Sequence, residues 1–411
     1  MAEPDPRYVS ITPLLKELAN PSEWTDPVQA SKIAGALSLL LDDKLNETQA
    51  AALLSLLHYK KKDQDVAVIN ECVRTISQAQ PAVEHAAVRK IVSDRGLARG
   101  RYSGGLCEIA GTAGNATPTI SVTTAASIIA SPLLMIAQHG YTSATAPIPR
   151  VEPDDILPSI RPAPPALDSI TPETVTEVYK SSSYALLPES SFYPGMKHAN
   201  PIRRGLDIRT IFDLIGTLLH PIAENEGMEA RVVGVSNPDL GPALIQALKD
   251  LGVGKALVVS GHGALDQISP EGPTSCWMLS KPVDGTSPVQ IEQFQLHPSD
   301  FGLPIIPLNA VKAESCAPEE AKTLLDMLEG KLPENNPIVQ FVLMHAAVLF
   351  VTSGICEAEQ TGSFSGDREV ITERGPGNGR WKEGLRLARQ CLQSGQALRS
   401  LETYIRVSNS I

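Results

Sequence analysis

Between Glu108 and Thr124 the chain reads EIAGTAGNATPTISVTT, a short apolar run ending in glycines ahead of a helix-like stretch. Such an arrangement can hold an anion. Glycine lets a phosphate approach the backbone, and a helix N-terminus offers unpaired N–H groups and a favourable dipole. Short Gly-rich turns also connect strands to helices for steric reasons alone, and the pattern leaves both readings open. Other reactive residue types are sparse. The six cysteines (Cys72, Cys107, Cys276, Cys316, Cys356, Cys391) include no short-spaced pair. That excludes the usual zinc spacing and predicts reduced, mostly buried thiols. No motif frames any of them as a nucleophile. His198 and His262 stand singly and are expected to be hydrogen-bonded structural residues.

The elements that would position these groups follow from hydrophobic spacing. Apolar positions three and four apart predict helices over Tyr8–Leu18, Asp26–Leu41, Asn46–Lys60 and Asp63–Thr75. Asn46 can cap the third, with Gln49 three residues on as in a capping box. From Gly104 the texture changes. LCEIAG, ARVVGVSN, KALVVSGHG and FGLPIIPL read as strands, with helical stretches such as LGPALIQALKDLG between them. Strands alternating with helices imply a mostly parallel sheet, whose ligands sit beyond the carboxyl ends of the strands. Arg150–Pro172 is proline-rich and acidic and is expected to be an extended connector. Ser363–Arg380 is polar and Gly-rich and is expected to be an exposed loop.

At 411 residues, with 42% hydrophobic and 20% charged residues, the chain can bury a large core as one large domain and a smaller one. A net charge of −11 argues against nucleic acid as a partner. No uncharged apolar run reaches the ~18 residues a membrane span needs. The longest candidate, Thr119–Ala137, reads as a buried helix. The opening MAEPDPRYVS has no secretory pattern, so a cytoplasmic protein is expected.

The stretch from Ser191 to Pro221, SFYPGMKHANPIRRGLDIRTIFDLIGTLLHP, resembles the acceptor-binding signature of the anthranilate phosphoribosyltransferase family. Pro194, Met196, Lys197, Arg203, Arg204, Leu206, Ile208 to Phe212, Gly216 and Pro221 keep its pattern. The Glu108–Thr124 stretch resembles the family's donor loop through Gly111, Thr112, Gly114, Thr119, Val122 and Thr124. The resemblance implies an α/β fold, with a helical subdomain joined to a large, mostly parallel-sheet domain, as in pyrimidine nucleoside phosphorylases. The expected division is an N-terminal helical subdomain over 1–90, completed by helices from about 165–195, and an α/β domain over 91–411. It also implies transfer of a pentosyl group from phosphoribosyl pyrophosphate to an aromatic amine or carboxylate acceptor, with Mg²⁺ as a candidate cofactor. A homodimer paired through the helical subdomain is expected.

By the same resemblance the donor-side candidates are Gly111, Thr112, Gly114, Asn115, Ser121, Thr123, Thr124, Gln138 and His139. Asp266, with Gln267, is the candidate metal residue. Arg203, Tyr193 and Met196 are the acceptor-side candidates. Arg203 is expected to grip the acceptor carboxylate with its planar fork, so that its truncation weakens binding and leaves stability nearly unchanged. The alternative for either Arg203 or Arg204 is a solvated surface or a structural ion pair.

The departures from the family pattern fall on the donor side. Ala113, Asn115, Ser121 and Thr123 replace a glycine, an aspartate, an asparagine and a serine of the donor loop. Gln138 and Thr142 stand where a lysine and an arginine would face pyrophosphate, and Gln267 replaces a metal-holding carboxylate. Each lost charge-assisted hydrogen bond is worth roughly 1.5–3 kcal/mol, so donor binding is expected to be weak. Two alternatives stay open: a paralogue repurposed for another reaction on an aromatic or carboxylated small molecule, and a non-catalytic binding protein.

Overall fold

Helices open the chain. They are α1 (Thr12–Ala19), α2 (Ala30–Leu41), α3 (Glu47–Tyr59), α4 (Val66–Ala79) and α5 (His85–Arg95) in a computed structural model. The structure describes residues 6–20, 28–81, 83–111, 119–140, 151–222, 227–280, 289–314, 316–359 and 369–411. Asn46 caps α3 as its type suggests, its side chain accepting from the Gln49 N–H at 2.9 Å. Gln49 does not return the bond. Its Oε1 accepts the Ile11 N–H at 2.8 Å and pins the start of α1 to α3.

Among the described residues the sheet has seven strands: β1 (Leu106–Gly111), β2 (Met135–His139), β3 (Tyr184–Leu187), β4 (Met228–Gly234), β5 (Ala256–Gly261), β6 (Thr274–Ser280) and β7 (Gln290–Leu296). Their order is β3-β2-β1-β4-β5-β6-β7. The first five pair in parallel, and β6 and β7 add antiparallel at one edge. The chain builds outward from β1 to β3, then returns to lay β4 on the other side of β1. That reversal leaves a crevice beyond the carboxyl ends of the central strands.

Further helices complete the fold. They are α6 (Val122–Ala130), α7 (Pro153–Ile156), α8 (Val175–Ser181), α9 (Glu189–Phe192), α10 (Met196–Leu206), α11 (Ile211–Ile215), α12 (Gly241–Asp250), α13 (Ala317–Leu328), α14 (Pro337–Ser353), α15 (Trp381–Gln393) and α16 (Gln396–Ser408). The core element is α14, apolar on all sides and packed against α6, β4 and α15. Helix α10 packs on α2 and α3, which ties the Ser191–Pro221 stretch to the N-terminal helices.

Four expectations need correction. Thr119–Ala137 is not one helix, because α6 ends at Ala130 and Met135 already lies in β2. The run is buried except at Ser121, Thr123 and Pro132, so periodicity could not separate its helix from its strand. FGLPIIPL forms no strand, since Pro304 and Pro307 offer no N–H to a ladder. The antiparallel strands β6 and β7 were not anticipated, and the edge strand β7 is mostly exposed and polar, without a buried face to betray it. The Arg150–Pro172 connector is not extended over its described part, which folds into α7 and two 3₁₀ turns, Leu157–Ser159 and Leu167–Ser169. Ser363–Arg380 lies partly outside the described residues, and its remainder includes a turn at Pro376–Asn378.

Candidate functional site

A cleft of about 50 Å³ opens beyond the carboxyl ends of β1 and β2. Ile109 to Gly111 and Gln138 with His139 come from the two strands, and Ser121 to Thr123 from the start of α6. Val151 to Pro153 of the connector, Thr217 and Gln267 close it. The structure therefore brings Gly111, Ser121, Thr123, Gln138, His139 and Gln267 together. Thr124 sits just behind them, its Oγ1 bonded to Ser121 Oγ at 3.1 Å and to Gln138 Nε2 at 3.2 Å. Thr112, Gly114 and Asn115, like Ala113 and Thr142, lie outside the described residues.

Asp266 is buried at the same end of the sheet. A Cβ on Gly111 would stand 2.9 Å from Asp266 Oδ2, and one on Gly234 would stand 1.7 Å from the Asp266 carbonyl oxygen. The glycines ending β1 and β4 thus let the Asp266 segment cross the strand ends. Gly111 has a steric reason to be glycine whatever it binds. Beside it, Gln267 Oε1 accepts the Thr119 hydroxyl at 2.9 Å.

Among the described lining residues there is no Lys or Arg, and Glu152 adds a carboxylate. Gln138, where a cation was expected, is 2% exposed and locked between neutral partners. Its amide donates to Thr124, and its Oε1 accepts the Tyr184 hydroxyl at 2.9 Å. At the start of α6 the Ser121 N–H donates to Glu320 Oε2 at 3.0 Å. On the connector, Asp154 packs so closely on Gly140 that a Cβ there would stand 2.5 Å from Asp154 Oδ1. Burial, with the nearby charge of Glu189, pushes the Asp154 carboxyl up to about 6.

Beneath the cleft lies a buried polar cluster. Glu108 on β1 and Arg231 on β4 are register partners, bonded through Arg231 Nη2 and Glu108 Oε2 at 2.8 Å. Glu108 Oε1 contacts His139 Nδ1, and His139 Nε2 donates to the Gly216 carbonyl at 2.9 Å. Burial alone would raise the Glu108 carboxyl, but His139, His220 and Arg231 outweigh it and hold it well below the usual range. Burial pushes His220 down to about 4, against the pull of Glu108, so it stays neutral at physiological pH. Glu108, His139 and His220 converge closely enough to suggest a metal. Their ligand atoms are instead engaged by protein groups, with the Arg231 cation among them, and the cluster is better suited to holding the strand ends.

The acceptor-side candidates lie elsewhere. Tyr193, Met196 and Arg203 are buried and do not line the cleft. Arg203 is 0% exposed. Its Nη2 meets Asp213 Oδ1 at 2.8 Å and its Nη1 donates to Asn200 Oδ1 at 2.8 Å. The fork expected to grip a substrate carboxylate already grips the protein's own, a structural arrangement. Asp213 also accepts from the N–H and hydroxyl of Thr210 at the start of α11. The far end of α11 leads to Gly216, whose carbonyl accepts from His139, and to Thr217 in the cleft wall. Arg203 thus connects to the cleft through α11. The opposite face of the motif, Pro194, Gly195, Lys197 and His198, lines a separate cavity of about 520 Å³ against α2 and α4. His262 is exposed.

Sequence reading missed Glu108, Arg231, His220, Glu152 and Glu320 as site-shaping residues. Two of them carried a signal. Glu108 in LCEIAG and Arg231 in EARVVGV are charges inside otherwise apolar strands, and buried charges need partners.

Comparison with known proteins places this geometry. Residues 103–398 match the family model described as "Glycosyl transferase family, a/b domain". The chain is 29% identical over 374 residues to the anthranilate phosphoribosyltransferase of Schizosaccharomyces pombe, covering 91% of each. It is 28% identical over 406 residues to that of Saccharomyces cerevisiae, covering 95% of this chain and 96% of the relative. The solved S. cerevisiae structure in complex with PRPP and Mg superposes with a TM-score of 0.73 at 26% identity, covering 97% of both chains. The Thermus thermophilus enzyme, at 24% identity and a TM-score of 0.70, shares the fold.

Proposed function

The chain belongs to the glycosyl transferase family with this a/b domain, and from that premise we propose that it transfers a phosphoribosyl group from phosphoribosyl pyrophosphate to anthranilate. The observation that carries the reading is the convergence of the donor-motif residues in one cleft at the strand-order reversal, with Asp266 beside them.

In this reading Gly111 presents backbone to the donor and Thr123 offers a hydroxyl, while the Ser121 N–H and hydroxyl are engaged by Glu320 and Thr124. Gln267 contributes a neutral amide. Mg²⁺ fits the site through Asp266, because that ion commonly takes one or two protein carboxylates and completes its shell with water and substrate phosphates. When bound, the ion neutralises charge on the departing pyrophosphate. Arg203 and Asp213 hold α10 to α11, and α11 sets the floor through Gly216 and Thr217. Tyr193 and Met196 are buried and do not line the cleft, so in this reading they support the acceptor side through packing.

Among the described residues the lining offers no Lys or Arg for electrostatic stabilisation, the term that usually dominates such transfers. Donor binding is therefore weaker than in relatives that keep cations there. Among the described residues no helix is long and apolar enough to cross a membrane. The reading includes a cytoplasmic homodimer. Calorimetric titration with phosphoribosyl pyrophosphate and Mg²⁺, followed by turnover of anthranilate, tests it. Weak donor binding with measurable product supports the proposal. Absence of both saturable donor binding and product overturns it.

A further inference from the structure

The segment that carries Asp266 and Gln267 crosses three strand ends at short range. Gly111 and Gly234 leave room for Asp266, and a Cβ on Gly261, at the end of β5, would stand 2.4 Å from the Gln267 carbonyl oxygen. The glycines set how close the segment can lie, and bonds on either side of the Asp266–Gln267 step set where it stays. On one side Leu265 exchanges backbone bonds of 2.7 and 3.2 Å with Gly261. On the other, the Ile268 N–H donates to Nε2 of His345, on α14, at 3.1 Å. His345 is 1% exposed. Its Nδ1 lies 2.8 Å from the Phe341 carbonyl, which can only accept, so Nδ1 carries the proton and Nε2 keeps the lone pair that the amide needs. Burial favours this neutral ring, pushing His345 down to about 4. Because α14 packs against β4 and α6, the anchor belongs to the core of the fold.

We infer that His345 is a positioning residue of the donor site: through the Ile268 N–H it holds the segment so that Asp266 can take Mg²⁺ while Gln267 faces the cleft. This rests on the proposed reading of Asp266 as the metal residue. His345 does not line the cleft and acts through the backbone, without touching donor, acceptor or metal. Ile268 is itself 1% exposed, so water cannot stand in for the lost acceptor. A buried N–H without a partner is costly, and the segment relieves that cost by moving. Asp266, two residues away, moves with it.

The test compares two variants of the full-length protein. His345→Gln can still offer an oxygen to the Ile268 N–H; His345→Leu keeps apolar bulk and removes the acceptor. Affinity for inorganic pyrophosphate is measured by calorimetry with and without Mg²⁺, alongside thermal unfolding and hydrogen exchange over residues 265–269. His345→Leu is expected to lose about tenfold or more in affinity, only in the titrations containing Mg²⁺, and His345→Gln to recover most of that loss. A lower melting temperature in His345→Leu with undiminished Mg²⁺ dependence marks a merely structural residue and overturns the inference. Equal losses in both variants overturn it too, since the ring would then act by packing alone. If His345→Leu does not fold, the wild type and His345→Gln decide. Slow exchange of the Ile268 amide in both, with Mg²⁺ dependence retained, sustains the inference; fast exchange in the wild type overturns it. The expected pattern without turnover of anthranilate sustains the inference while rejecting the proposed reaction. Turnover by the wild type with undiminished Mg²⁺ dependence in His345→Leu does the reverse.

Discussion

Truncating Arg203 separates a substrate anchor from a structural one. Arg203 and Asp213 are 0% and 2% exposed and meet at 2.8 Å. Arg203→Ala leaves the Asp213 carboxylate buried with its Thr210 contacts but without its cation. Breaking one side of a buried ion pair costs about 3–5 kcal/mol, mostly the penalty of an uncompensated charge. Unfolding entropy near 2.1 cal/mol/K per residue gives about 0.9 kcal/mol/K for a chain of this length. Cooperative unfolding then lowers the melting temperature by about 3–6 °C.

The assay is differential scanning calorimetry on Arg203→Met, Asp213→Asn and the double variant, with anthranilate affinity measured alongside. In Asp213→Asn the side-chain amide oxygen would still accept from the Thr210 N–H, so the helix cap survives while the charge goes. The double variant should recover part of the stability lost by Arg203→Met, because neither partner is then left charged. An unchanged melting temperature together with a large loss of anthranilate affinity would refute the structural reading. It would restore Arg203 to the acceptor site.

Other outcomes follow from the same geometry. Gln267→Glu supplies a second carboxylate beside Asp266, and Glu can still accept the Thr119 hydroxyl; Mg²⁺-dependent donor binding should tighten several-fold by calorimetry. Gln138→Lys should not help, because it buries an ammonium between Thr124 and Tyr184 and removes the Tyr184 acceptor; a loss of roughly 1–3 kcal/mol in chemical denaturation is expected, with no gain in donor affinity. Asp154 is raised from 3.8 to about 6. The folded state therefore binds the extra proton between those values, and stability falls as pH rises through that window, by at most about 3 kcal/mol. Asp154→Asn should remove that slope in melting curves taken from about pH 4 to pH 8. Light scattering should give about twice the chain mass of 43.9 kDa, and a monomer at micromolar concentration would exclude the dimer.

The parts of the fold legible in the sequence were those where burial is one-sided. Helix α4 shows a clear apolar stripe, and Asn46 marks the start of α3 because its side chain has a single local job. Where both faces are buried the pattern loses its period. α6 and β2 merge into one apolar run, and only the turn at Ser131 to Leu134 divides them. β7 fails for the opposite reason, since an exposed edge strand imposes almost no hydrophobic constraint.

The site divides along a similar line. Motif residues at the ends of β1 and β2 converge because a parallel sheet delivers successive strand ends to one edge, which sequence order alone suggests. What an individual side chain does there depends on partners far along the chain. Arg203 belongs to Asp213 ten positions away, Gln138 to Tyr184, and Ser121 to Glu320 across 199 residues. None of these pairings has a periodic signature. The deciding quantity is burial: a guanidinium in water would be free for a substrate, whereas one at 0% exposure must already have its carboxylate. Glycine carries the same lesson from the backbone side. Gly111 resembles a phosphate-loop residue in the sequence, yet Asp266 Oδ2 at 2.9 Å and the Asp266 carbonyl at 3.2 Å from its missing Cβ favour glycine there on packing grounds as well.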